Sequence, residues 1–383
     1  MKETVKGFRD IEGEEAEKRQ EIKKILADVF QNYGYEYVET PVIEYEEFVK
    51  GENKQDEAVS DIFKLKDRGE RNLALRYEFT FQLKRLANGK KLPFKRYQIG
   101  EVFRDEPIGA NRFRQFTQCD IDIIGSSVKD EAEILAVVKD TFRELNIKNE
   151  IYVNNRKLIN EILEANGIKD KSQVMKEIDK LDKLSEKEVK YNLKKYGAEK
   201  IINVLKNKEG YFKRFQAYKE IEELKKYCDY YNTKVIFRPF LIRGLSYYNG
   251  SVFEVKTKEM KETIAGGGSY SVNGIQSSGI SFGLDRIFSL AKIWDKKKSC
   301  LIISINRDKE AIKLADKLRK NKISCNIMYG RPSKALDYAN SKQINYAVFI
   351  GEQEIKSKKF TLKDMKSGKE SKINEKELIK RLG

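Results

Sequence analysis

The sequence predicts a chain of mixed α and β structure that ends in a compact α/β domain, and three observations carry this. Residues 96–125 hold β-branched and aromatic runs on either side of a segment with Pro107, Gly109 and Asn111, which reads as strand, loop and returning strand. Residues 14–33 place Ile22, Ile25, Leu26, Val29, Phe30 and Tyr33 at the spacing of an amphipathic helix, with Gly34 as its stop. From residue 300 onward strand and helix patterns alternate, which implies a mostly parallel sheet. At 383 residues there is room for two or three domains and a sizeable core.

The elements follow in order. Residues 35–45 alternate like a strand, and Pro41 restricts it to an edge or a terminal position. Residues 63–67 and 73–80 read as a strand pair around the turn that holds Asp67 and Gly69. In the 96–125 hairpin, Arg104, Arg112, Gln118 and Asp122 fall on or beside a sheet face and need partners if buried. A nucleotide phosphate and a polar substrate supply them; an ion-paired surface hairpin is the plainer reading. Residues 155–231 are helical and lysine-rich, with no glycine-rich loop and no cluster of catalytic types. Arg243 stands beside glycine and two tyrosines, an odd choice for a plain strand, and Gly266 to Gly268 allow close approach of backbone to a ligand. Residues 277–290 read as a strand entering a helix with Arg286 at the join. A lysine run at residues 296–298 marks a linker, followed by strands at 300–305, 325–328 and 346–350 and helices at 309–319 and 335–341.

Composition narrows the chemistry. The chain contains no histidine, which removes imidazole general bases, Ser-His-Asp triads and nearly every catalytic zinc site. Four scattered cysteines, Cys119, Cys228, Cys300 and Cys325, give the expectation of free thiols and no protein-held metal. A formal charge of +17 suits a polyanionic partner, although lysines interspersed with 60 acidic residues also describe a solvated surface. No apolar run approaches a membrane span and the first residues lack the hydrophobic segment of a secretory signal, so the expectation is a cytoplasmic protein without a membrane partner.

These stretches resemble the motifs of the class II aminoacyl-tRNA synthetases. Phe103-Arg104-Asp105-Glu106, the loop and Arg112 resemble motif 2. Within it, Arg112-Phe-Arg-Gln-Phe-Thr-Gln118 and Asp120-Ile-Asp122-Ile-Ile-Gly125 are similar to the histidyl-tRNA synthetase version of the archaeal or eukaryotic kind. Lys6-Gly-Phe-Arg9-Asp10 resembles the start of that family, and the helix, strand and Pro41 resemble motif 1. Leu241-Ile-Arg243-Gly-Leu-Ser-Tyr-Tyr248, Ile264-Ala-Gly-Gly-Gly-Ser-Tyr270 and residues 277–290 resemble the two histidine-specific motifs and motif 3.

The resemblance implies a class II synthetase fold: an α+β catalytic domain on an antiparallel sheet over residues 1–294, with a helical insertion at 155–231, and an α/β anticodon-binding domain at 298–383. It implies a homodimer built through motif 1, the substrates ATP, histidine and tRNA-His, Mg²⁺ on the nucleotide phosphates, and no DNA. Arg104, Glu106, Arg112 and Arg286 are the expected ATP-binding residues, with Arg104 and Arg243 catalytic at the α-phosphate. Histidine falls to Glu78, Thr80, Gln118, Asp122, Tyr248 and Tyr270. Of these, Glu78 and Thr80 map to the α-amino group, where a carboxylate suits an ammonium taken from water, though Thr80 also suits a helix cap. Asp122 and Tyr248 are expected on the imidazole, which offers one donor and one acceptor. Ser246, Ser269 and Ser271 depart from the family's Asp, Arg and Asp. A paralogue that binds histidine without aminoacylating, like the regulatory subunit of ATP phosphoribosyltransferase, is the alternative; it normally lacks the anticodon domain.

Overall fold

An eight-stranded sheet carries the first part of the chain. The computed structural model describes residues 3–51, 61–109, 112–242, 247–293 and 298–383, and the chain divides into two units, Met1–Trp294 and Asp295–Gly383. The first begins with α1 (Gly13–Asn32), which buries Ile22, Leu26, Val29 and Phe30 along one stripe and stops before Gly34, at φ 78°. The single strand expected over residues 35–45 is instead two short ones in different sheets. β1 (Glu36–Tyr37) edges the large sheet, whereas β2 (Ile43–Tyr45) joins β3 (Lys64–Lys66) and β4 (Asn72–Leu75) in a three-stranded sheet. Pro41 lies between them, where its missing N–H costs no ladder bond.

The hairpin is formed by β5 (Phe94–Phe103) and β6 (Gln115–Ile124), antiparallel with Arg96 opposite Asp122 and Gly100 opposite Gln118. After α2 (Val128–Glu144) and β7 (Glu150–Asn155) comes the helical module, with α3 (Arg156–Ala165), α4 (Lys171–Asp179), α5 (Glu186–Lys194), α6 (Ile201–Leu205) and α7 (Tyr218–Tyr230). Its interior is separate, built from Leu158, Ile162, Val174, Ile178, Val189, Leu193 and Phe212, while the far end of α7 sends Leu224 and Cys228 into the sheet's own core. The chain returns through β8 (Val235–Phe237), β9 (Ser251–Thr257), β10 (Met260–Val272) and β11 (Ile275–Gly283), and enters α8 (Leu284–Leu290).

Strand order in this sheet is β1-β5-β6-β11-β10-β9-β7-β8. The central pairings are antiparallel, as the sequence predicts, and the two edges add parallel pairs, β1 with β5 and β8 with β7. One face packs on α1, α2, α7 and α8 through Phe30, Ile121, Leu135, Phe253 and Phe282. Because side chains alternate along a strand, the other face collects Gln118, Asp120 and Asp122 from β6 and Gly279 and Ser281 from β11, with Gly266, Gly268 and Tyr270 from β10. The registers Asp122↔Gly279↔Gly268 and Asp120↔Ser281↔Gly266 align them in rows.

The second unit has its own sheet of β12 (Cys300–Ser304), β13 (Cys325–Tyr329), β14 (Tyr346–Ile350), β15 (Phe360–Asp364) and β16 (Glu370–Ile373), in the order β13-β12-β14-β15-β16. The first three strands are parallel and the last two antiparallel, so the sheet is mixed. Helices at Asp308–Lys320, Pro332–Ser341 and Glu375–Leu382 accompany it. All four cysteines are free and buried. Among the described residues no helix is long and apolar enough to cross a membrane.

Candidate active site

The polar face of the large sheet floors a cavity of ≈ 690 Å³. Its lining includes Glu78, Thr80, Arg104, Glu106, Arg112, Gln118, Asp122, Tyr248, Tyr270 and Arg286. The sequence predicts all ten as site residues, and the fold brings them together from segments as distant as residues 78 and 286. Arg243 and Ser246 lie outside the described residues.

At the floor, Asp122 is buried with Arg96 at 2.6 Å, and the Tyr270 hydroxyl donates to its Oδ1. Burial raises the Asp122 carboxyl, while Arg96 and the Tyr270 hydroxyl pull it down. Room for this carboxylate comes from Gly279, where a Cβ would lie 2.1 Å from Asp122 Oδ1. Gly268 does the same for Tyr248: a Cβ there would sit 2.8 Å from that ring. Tyr248 is buried and packs against Tyr247 with ring centroids 4.9 Å apart; Tyr247 in turn stands 5.7 Å from Tyr270. Glu78 follows β4 on an irregular segment and accepts a long hydrogen bond from Tyr247 at 3.4 Å. Burial pushes its carboxyl up to about 7 against the pull of Arg104.

The other side of the cavity is cationic. Arg104 leaves the end of β5, donates from Nε to the Tyr77 carbonyl at 3.2 Å and lays its guanidinium 5.2 Å from the Phe116 ring centre. Arg112 reaches back across the hairpin loop to pair with Glu106 and keeps half of its side chain exposed. Arg286, in the first turn of α8, donates to the Thr263 carbonyl at 2.5 Å. Its neighbour Asp285 is held by Arg19 at 2.6 Å. Buried carboxylates thus face guanidiniums across one space, an arrangement suited to a ligand with an ammonium at one end and phosphates at the other.

Two residues of this constellation escape the sequence reading. Arg96 enters through register, since its partner Asp122 is on the opposite strand. Asp120 is buried and lines the cavity between Gln118 and Asp122, and burial and the neighbouring Asp122 push its carboxyl up to about 7. The alternation of β6, with Gln118 and Asp122 already singled out, points to it. Two of the departures from the family's pattern, Ser269 and Ser271, lie elsewhere. Ser269 is buried on the opposite face, donating with Ser278 to the buried Glu131 of α2, and Ser271 is exposed.

Comparison with known proteins shows the family. The family model described as histidyl-tRNA synthetase matches residues 7–287, and that of the anticodon binding domain matches residues 299–383. A curated relative, histidine–tRNA ligase 1 of Bacillus cereus, is 34% identical over 411 residues, covering 96% of this chain and 96% of its own. The enzyme of the same name from Bacillus anthracis is 35% identical over 411 residues, covering 96% of this chain and 97% of its own. Among solved structures, the histidyl-tRNA synthetase of a Nostoc species superposes with a TM-score of 0.86 at 25% identity, over 100% of this chain and 99% of that one. These relatives are bacterial, and they lend no support to the archaeal or eukaryotic likeness expected from the second motif.

Proposed function

The chain belongs to the histidyl-tRNA synthetase family, and from that premise we propose that its cavity activates histidine with ATP and passes the histidyl group to the 3′ end of tRNA-His. The observation that carries this reading is the meeting of Glu78 and Asp122 with Arg104, Arg112 and Arg286 around one space. In the first step an oxygen of the histidine carboxylate attacks the α-phosphorus of ATP, a P–O bond forms, and pyrophosphate leaves with the electron pair of the broken bond. In the second, a hydroxyl of the terminal adenosine attacks the acyl carbon, the acyl–phosphate C–O bond breaks, and AMP departs with its electron pair as a phosphate oxygen takes up the hydroxyl proton. The substrate supplies the nucleophile in both steps, so a protein without histidine loses nothing by it; the protein positions the reactants and stabilises charge.

Arg104 and Arg243 are assigned to the α-phosphate, and Arg112, Glu106 and Arg286 to the rest of the nucleotide. Glu78 and Thr80 take the α-ammonium, Asp122 and Tyr248 the ring, and Gln118 and Tyr270 complete the amino-acid site. Tyr270 acts through its hydrogen bond to Asp122, which fixes the carboxylate in place. Glu106 and Glu262 on the lining are the carboxylates that would hold magnesium beside the nucleotide, where the ion would neutralise phosphate charge.

Residues 1–294 form the catalytic domain in this reading, 155–231 its helical insertion and 298–383 the anticodon-binding domain, working in the cytoplasm on tRNA. A homodimer is supported by the apolar side chains left exposed around β1 and β2: Tyr37, Val42, Ile43 and Tyr45 are 41–58% accessible. Histidine-dependent exchange between ATP and pyrophosphate tests the whole reading. Exchange with histidine alone among the amino acids is the expected result, and none at all would favour a histidine-binding regulatory paralogue.

A further inference from the structure

Gln118, Asp120 and Asp122 occupy alternate positions of β6 and line the cavity together, yet their polar atoms are unequally satisfied. Asp122 is engaged by Arg96 and Tyr270. Gln118 donates from Nε2 to Ser281 Oγ at 2.8 Å, which leaves its Oε1 buried with no donor among the described residues. Ser281 stands opposite Asp120 in the register of β6 and β11 and helps hold its carboxyl down. Even so, Asp120 Oδ1 has no donor among the described residues, in a residue only 5% exposed. Two buried acceptor atoms on the cavity are thus without a donor among the described residues. Such groups are costly when dry and favour a ligand that brings N–H donors.

Charge says which donors. The groups packed around Asp120 are Asp122 on its own strand, Glu78 from the segment after β4, Arg96 and Gln98 from β5, and Ser281 from β11. Gln98 already bonds Thr40. Among the described residues, Arg104 acts on Glu78 and Arg96 on both Asp120 and Asp122, two guanidiniums against three buried carboxyls. An ammonium brings three N–H donors and a positive charge to one point. A neutral imidazole brings no charge, and its single N–H cannot serve two adjacent acceptors.

We propose that Asp120 Oδ1, together with Gln118 Oε1, holds the α-ammonium of the amino acid, adding a second carboxylate to the subsite given to Glu78. This rests on the histidine-activating reading above. The test measures inhibition constants in the histidine-dependent exchange reaction for histidinol, which keeps the amino group, and imidazolepropionate, which lacks it. In Asp120→Asn, histidinol and the KM for histidine are expected to weaken by about 10- to 100-fold, the scale of a charge-assisted hydrogen bond, with imidazolepropionate unchanged. Equal weakening of both inhibitors, or weakening of neither, overturns the assignment. Should the amide disturb the strand, Asp120→Ser is read in the same way. Wild-type protein that supports no exchange defeats the histidine reading itself, which separates that failure from failure of the Asp120 assignment.

Discussion

Arg96 and Asp122 face each other across β5 and β6 and close to 2.6 Å, with the arginine side chain wholly out of solvent and the carboxylate nearly so. Removing one partner of such a pair strands the other in a medium that cannot solvate it, at a cost of about 3–5 kcal/mol. Arg96→Met is expected to lose stability on that scale in urea denaturation. The double variant with Asp122→Asn should recover part of the loss, because the two changes are coupled. A loss under ~1 kcal/mol in the single variant would contradict the pairing.

The raised carboxyls give a pH dependence with a definite sign. Glu78 and Asp120 sit at about 7 in the folded protein, against about 4 when exposed. Below about pH 4 both groups are protonated in both states; as pH rises toward 7 the unfolded chain ionises first, and the stability these groups contribute is lost. An ammonium ligand reverses this by favouring the ionised forms. The rise in Tm on adding histidine is therefore expected to grow from about pH 5.5 to 8, and to grow less in Asp120→Asn. Both proteins meet the same titrating imidazole, so the difference between them isolates Asp120. Identical slopes would count against it.

Two glycines of the floor separate packing from recognition. A Cβ on Gly267 would come 2.0 Å from the Gly279 carbonyl oxygen and 2.7 Å from Ile280 Cα. Relief requires β10 and β11 to part, and Gly267→Ala should destabilise by at least ~1–3 kcal/mol in thermal or chemical unfolding. On Gly279 the first collision is with the Asp122 carboxylate at 2.1 Å. Gly279→Ala is expected to raise the KM for histidine by about tenfold or more, alongside some loss of stability. An unaltered KM would show that Asp122 does not touch the substrate.

Arg104 is held by the Tyr77 carbonyl and the Phe116 ring, and in the proposed reading this preorganises it for a phosphate. Arg104→Ala should slow single-turnover adenylate formation by about 10² to 10³, the scale for losing one preorganised donor. Arg104→Lys should recover little, because an ammonium cannot offer two parallel donors or spread over the ring. A normal rate in Arg104→Ala would remove this residue from the chemistry.

For the dimer, Ile43→Lys with Tyr45→Glu puts charge on the exposed patch at β2. Sedimentation is expected to give about half the mass of the parent protein at equal concentration. A parent that sediments as a monomer would end the homodimer proposal.

Much of this was legible in the sequence because it rests on local pattern. The helix at residues 14–33, the 96–125 hairpin and the strand-helix join at Arg286 each carry a period and a punctuating residue, and each forms within a few residues of its expected place. What escaped depends on contacts distant in sequence. The β3–β4 pair is read from its turn, but the addition of β2, a strand of three residues, to that pair is not, since it is too short to show a period. The strand expected through Thr80 stops at Leu75. Just beyond it, Arg76 donates to the carbonyls of Thr40 and Glu101, bonds that no local pattern announces. Arg96 begins the hairpin stretch, but only strand register sets it against Asp122.

The alternation of β10 has an evolutionary consequence. Gly268 and Tyr270 lie on the cavity side of the sheet, against Tyr248 and Asp122, while Ser269 turns to Glu131 under the sheet and Ser271 to solvent. Neighbouring letters of one strand therefore answer to different judges. Changes at 268 and 270 alter the wall of the cavity, those at 269 meet the helix beneath, and those at 271 meet little more than water. A lineage can therefore rewrite the second set while the wall of the cavity stays as it is.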